Sequence, residues 1–250
     1  TRVSYGNPKS AQALSYSTLA GNVPEVDGLT QSGVRPKQVA FHDGEWPVAK
    51  YVAPPTASPY PGVGLSRVVA IINDTFVVAD RLTADRPRRL SVSFYPGVMV
   101  FSIAPALTFA PDETFIRGGE TYAKIRSPEC ATCGKAFALD YKSGDFLTRA
   151  HFLLDGDGEL IKGVTYSGWE PVDTPVLLVR RQASAMACVL VLEAGKDKLP
   201  IQDLKVLPVT VNDRAVPMDQ GLAVSITLAT GVYVLIDCDL PGTKKAAGVE

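Results

Sequence analysis

Two histidines, four cysteines and two tryptophans are the scarce residues of this 250-residue chain on which chemistry would have to rest. His42 stands in Phe41-His-Asp-Gly-Glu-Trp46, a turn-like polar stretch with two carboxylates and an aromatic ring. Such a loop suits a sugar: the ring of Trp46 offers an apolar face to a pyranose, and carboxylates accept from its hydroxyls. Trp169, in Tyr166-Ser-Gly-Trp-Glu170, is a second stacking candidate. For both tryptophans an amphipathic ring packed at a rim is the plainer reading. His151, in the strand-like run Thr148-Arg-Ala-His-Phe-Leu153, reads first as a structural histidine. The chain has no Gly-x-Ser-x-Gly elbow and no Gly-x-Gly-x-x-Gly or phosphate loop, so serine-hydrolase and nucleotide chemistry are not expected.

Cys130-Ala-Thr-Cys133 has the spacing of half a zinc knuckle or a redox pair. A closed zinc site needs four ligands, and Cys188 and Cys238 stand singly inside apolar runs. A strained local disulfide or two loop thiols is the preferred reading, and neither metal nor cofactor is expected. Tyr95 would serve as acid or base if nearby cations lowered its pKa, and Arg81, Arg88 and Arg89 belong to the same expected hairpin. Two-residue alternation puts Arg89 on the face of Tyr95. Packing at a strand end is the simpler role for that ring. Arg67, beside a proline-rich loop, suits a bidentate grip on a carboxylate or a surface cap.

The elements that must position these residues are strands. Hydrophobic residues make up 46% and charged residues 20%, enough to bury a core. Lysine plus arginine is 25 against 26 for aspartate plus glutamate, a net charge of −1 that argues against a nucleic-acid partner. No apolar run approaches the ~18 residues of a membrane helix. Thr1 reads as a processed or truncated start.

Glycine (21) and proline (19) punctuate the chain at short intervals, bounding runs rich in Val, Ile, Leu, Thr and Phe. Residues 67–72 and 75–81 read as a hairpin around Asn73-Asp74. Further strands are expected at 88–95, 98–103, 114–116, 122–125, 135–141 and 147–154, with Asp155-Gly-Asp-Gly158 as a hairpin connection to 159–164. The pattern continues at 175–181, 186–193, 204–211, 222–228 and 232–237. The expected fold is all-β, an antiparallel two-sheet β-sandwich of about a dozen strands. Residues 1–65 form its loop-rich beginning with the first strands, 66–240 the main sandwich and 241–250 a flexible tail. Asn73-Asp-Thr75 is an acceptor sequon on a turn.

The segment Leu19-Ala-Gly-Asn-Val-Pro-Glu-Val-Asp-Gly-Leu-Thr-Gln31 resembles the opening of the C-terminal β-domain of heparinase II/III-type polysaccharide lyases. The order continues with Tyr60-Pro-Gly-Val63, Arg67, Phe76-Val-Val-Ala-Asp-Arg81 and a strand ending Ser93-Phe-Tyr-Pro-Gly97. The likeness covers roughly residues 15–97 closely, and continues to about 238 only in pattern.

The resemblance implies the β-sandwich part of a lyase that cleaves uronate polysaccharide by β-elimination, in an extracellular or periplasmic setting. In that family most of the machinery lies on an α/α toroid, which would be a separate chain or domain here. Asp80 matches the aspartate of the family's metal pattern. Gly21 and Tyr95 stand where its histidines would, so no metal is expected. Asn22, Gln31, His42, Trp46, Arg67, Arg89 and Trp169 are the substrate-binding candidates and Tyr95 the catalytic one. The chain alone is expected to be inactive, binding acidic polysaccharide as one wall of a cleft. The competing readings are a self-assembling capsid or surface subunit and a non-catalytic carbohydrate-binding module.

Overall fold

The computed structural model describes residues 22–119, 121–167 and 172–246. Eighteen strands lie in this part of the chain, in one sheet of twelve and two of three. The first twelve are β1 (Pro24–Val26), β2 (Lys37–His42), β3 (Val48–Ala53), β4 (Val63–Ile72), β5 (Thr75–Phe94), β6 (Phe101–Ala104), β7 (Ala110–Pro111), β8 (Arg126–Cys133), β9 (Ala136–Ser143), β10 (Phe146–Leu154), β11 (Gly158–Ser167) and β12 (Val172–Gly195). All pairings are antiparallel, as expected.

The sandwich arises because β5 and β12 serve two layers each. The first half of β5 pairs with β4 and with the second half of β12, which continues through β10 and β9 to β6. The second half of β5 pairs with β1 and with the first half of β12, which continues through β11 and β8 to β7. The ladder changes register between Ala183 and Ala185, opposite Asp85-Arg-Pro87, where a proline without an N–H is tolerated. Residues 75–81 and 88–95, expected as separate strands, therefore share one strand, and 175–181 and 186–193 share another. The main core draws on both layers, with Leu65, Leu82, Phe152 and Met186 from one and Leu90, Val92, Phe94, Leu160 and Leu177 from the other. One sheet folded over its own face thus supplies both sides of the sandwich.

The predicted turn at Asn73-Asp74 is present, with φ of 45° and 65°, the left-handed pair a two-residue hairpin needs. Asn212-Asp213 repeats it at 50° and 61°, between β14 (Val209–Val211) and β15 (Arg214–Val216). Those two strands pair with β18 (Lys244–Ala246), so part of the expected flexible tail is a strand. The other small sheet, β13 (Asp203–Leu207), β16 (Gly221–Leu228) and β17 (Gly231–Cys238), packs Leu222, Val224 and Ile226 on the outer face of the first layer. Asp237 fastens it there, accepting from Lys50 Nζ at 2.5 Å and from Arg81 Nε at 2.8 Å.

Three expectations are corrected. Residues 114–116 and 122–125 contribute 3₁₀ turns, Phe115–Gly118 and Tyr122–Lys124, which strap the outer face of the second layer. Asp155–Gly158 passes from β10 in one layer to β11 in the other, which do not pair, so it is no hairpin. Cys130 and Cys133 lie on a strand three positions apart and so point to opposite faces. Cys133 joins the main core and Cys130 the strap's cluster; both thiols are free.

Candidate functional site

The segment Asn22–Gln31 enters the sandwich through β1, which pairs with residues 90–92 of β5. It then turns on Asp27-Gly28, both with left-handed φ (55° and 69°). Asp27 holds that turn down, accepting from Arg88 Nε at 2.6 Å and from the Arg89 N–H at 2.9 Å. A side chain at Gly28 would strike the Tyr122 ring at 2.9 Å, so the strap requires glycine there. Tyr60 reaches up from the proline-rich loop and donates to the carbonyl of Leu29 at 3.2 Å.

These contacts set the segment over β3 and β4 and leave a cleft of about 240 Å³, lined chiefly by Val23, Pro24, Gln31, Pro36, Tyr51 and Arg67. Tyr51 and Arg67 are directly opposite on neighbouring strands, and Arg67 is opposite Asp80 on the next. Arg67 grips Asp80 with two bonds, Nε to Oδ1 at 2.6 Å and Nη2 to Oδ2 at 2.7 Å, and donates from Nη1 to the Asn22 carbonyl at 2.7 Å. The Asn22 side chain accepts from the backbone N–H of Tyr95 at 2.9 Å. Gln31 donates to the Pro24 carbonyl at 3.2 Å. Asn22, Gln31 and Arg67 are therefore gathered at one place, with Tyr95 joined to them through its backbone. Three of the five Arg67 N–H groups are spent on Asp80 and Asn22, which leaves two for a ligand oxygen. Asp80 is nearly fully buried and has both oxygens engaged by Arg67.

The Tyr95 hydroxyl points elsewhere. It packs against the strap's cluster on the outer face, buried and with no hydrogen-bond partner. Burial, reinforced by the neighbouring Glu25 carboxylate, pushes its pKa up. The lowered phenol expected from nearby arginines is not what the structure holds. Arg88 is committed to Asp27 and Arg81 to Asp237, while Arg89 donates to the Gly118 carbonyl and sits 5.8 Å from the Tyr122 ring centre. Arg89 is accordingly part of the strap's anchorage and away from the cleft.

His42 and Trp46 stand on the exposed β2–β3 hairpin. Trp46 meets Tyr233 edge to face at 5.2 Å, on the side of the small sheet. Trp169 lies outside the described residues. His151 is satisfied as a structural histidine, its Nε2 2.6 Å from Glu193 Oε1.

Two residues at or near the site have no clear mark in the sequence. Tyr51 becomes visible only once β3 is recognised and its register with Arg67 known. Glu25 is wholly buried with both carboxylate oxygens unpartnered. Burial raises its pKa from 4.5 to about 7, against weaker opposing contributions from Thr121, Tyr122, Arg89 and Arg180. Its setting in Pro-Glu-Val looks like an ordinary surface carboxylate.

No family model matches the sequence, and neither does any curated protein. The backbone does find counterparts among solved structures. A heparinase III gene product with methylated lysines superposes over 95% of this chain at a TM-score of 0.60 and 10% identity. A second heparinase III structure covers 94% at 0.58 and 8% identity. A mutant heparan sulfate lyase HepC from Pedobacter heparinus covers 94% at 0.50 and 13% identity. The chain has the fold of a heparinase III β-sandwich. It spans about a third of the length of these structures, 32–33%. At such identities the shared property is this heparinase-like sandwich itself, reached with a largely different set of side chains. Among the described residues no group of three or more His, Cys, Asp or Glu is placed to hold a metal ion, and no helix is long and apolar enough to cross a membrane.

Proposed function

We propose that this chain is the β-sandwich part of a heparinase-like polysaccharide lyase, placed outside the cytoplasm, which holds an acidic, uronate-containing polysaccharide against one wall of a cleft. The observation that carries the reading is the extent of the fold match: nearly the whole chain superposes on a third of heparinase III. The cleft beside Arg67 supports it, since a guanidinium with two uncommitted N–H groups next to the Tyr51 ring suits a carboxylate on a sugar. The elimination step belongs to an α/α-toroid chain or domain. A phenol held protonated by burial, as at Tyr95, is a poor proton acceptor near neutral pH.

Calorimetric titration with heparan sulfate, chondroitin sulfate and alginate, alongside neutral dextran, tests the binding. Saturable binding of an acidic chain that weakens on Tyr51→Ala supports the reading. Failure of all three, or equal binding of dextran, refutes it. Unsaturated-uronate absorbance with the chain alone is expected to stay flat.

A further inference from the structure

The twelve-stranded sheet ends on one side at β2, whose six residues are all exposed. Across the layer, Phe41 lies opposite Ala49, Ala49 opposite Val69, Val69 opposite Val78 and Val78 opposite Leu190. This row starts in the main core at Leu190 and Val78, is partly buried at Val69 and Ala49, and reaches the edge, where Phe41 is 62% and Val39 58% exposed. A bare, apolar edge strand is a template for another strand.

Charge decides which strand fits. The chain entering β2 carries Arg35 and Lys37, and the chain leaving it carries Asp43 and Glu45, all exposed. We propose that two copies of the chain join edge to edge through β2, antiparallel about a twofold axis at Ala40. Val39 of each copy then lies opposite Phe41 of the other. The same axis sets Lys37 toward Asp43 and Arg35 toward Glu45 across the junction, twice over. A parallel arrangement would set like charges side by side. Pro36, which has no N–H, and the register shift that leaves Val39 without a partner on β3 keep the shared ladder short and centred on Ala40. The association is accordingly weak, reversible and sensitive to salt. It stands independently of the polysaccharide-binding reading.

Sedimentation equilibrium across a concentration series tests it, with doubling of the 26.7 kDa mass expected. The surface pair Asp43→Lys/Glu45→Lys sets positive against positive and is expected to lower the association constant at least about tenfold. Adding Arg35→Glu/Lys37→Glu to the same chain recreates opposite ends and is expected to restore it. Val39→Thr/Phe41→Thr, which keeps strand-forming residues, is expected to weaken it as well. A monomer at every concentration overturns the proposal. So does a dimer that ignores the charge reversals.

Discussion

Arg67 faces Asp80 across adjacent strands and clamps both of its carboxylate oxygens, at 2.6 and 2.7 Å, directly beneath the candidate cleft. The pair lies on the same face as Cys188, deep enough that only 2% of the Asp80 side chain is exposed against 21% of Arg67. It gives the cleft a cation whose orientation is fixed before any ligand arrives.

Removing the anion alone should therefore be costly. Asp80→Ala is expected to lose about 3–5 kcal/mol, since it strands a guanidinium in a largely apolar setting. The paired change Arg67→Met/Asp80→Leu should recover most of that loss while abolishing any ligand binding that needs the guanidinium. Urea unfolding of the three proteins checks the first expectation, and titration with the polysaccharide checks the second.

Glu25 makes stability depend on pH in a stated direction. Its carboxyl has a pKa of about 7 in the folded chain against an ordinary 4.5, so the folded state holds a proton that the unfolded state releases. Stability is then greatest below pH 4.5, as far as this group is concerned, and falls as the pH rises to about 7. The loss approaches about 3 kcal/mol for a shift of this size. Glu25→Gln should flatten that slope and be more stable than the parent at pH 8. An unchanged difference in unfolding free energy between pH 5 and pH 8 would refute the assignment.

Asp237 holds the small sheet of β13, β16 and β17 against the first layer through Lys50 and Arg81. Asp237→Ala leaves Lys50 and Arg81 to share the half-exposed Asp239 and should destabilise the protein by about 2 kcal/mol. Hydrogen exchange should locate the damage, with amides of β16 and β17 losing protection before those of β10.

The cysteines should behave as four thiols. Burial raises the pKa of Cys133 to about 11 and pushes the Cys188 thiol well above its usual range, so neither is reactive in the native chain. Titration with a thiol reagent should find all four only after unfolding, with no need for prior reduction. Fewer than four under denaturing, non-reducing conditions would show a bridge that the opposed faces of β8 do not allow.

What the sequence discloses follows the physics of alternation. Residues 67–81, 147–154, 222–228 and 232–237 pair apolar faces with polar turns, and they form strands where expected. β2 and β3 escaped because neither face of β2 is buried, which leaves Lys37–His42 without a hydrophobic period. The continuity of β5 was hidden by Asp85-Arg-Pro-Arg-Arg89, whose charges and proline look like a break when they mark a bend. Phe115 and Tyr122 read as strand residues because aromatics favour strands, whereas here they anchor a strap. At the site, the order Asn22, Gln31, Arg67, Asp80 was legible as a pattern, and folding does bring its members together. That Arg67 would spend its fork on Asp80 depends on the register of β4 against β5, which no local feature announces.

The sharing of β5 and β12 between the layers bears on how the chain is made. Phe76 pairs with Leu192 and Phe94 with Leu177, partners more than eighty residues apart. As the polypeptide leaves the ribosome, the second layer waits for the first half of β12 and the first layer for its last residues. The principal core, which draws on both layers, closes only when β12 is complete. During that interval the apolar faces of β4, β5 and β10 lack their final partners, and the cost of a late strand is apolar surface left open to misassembly.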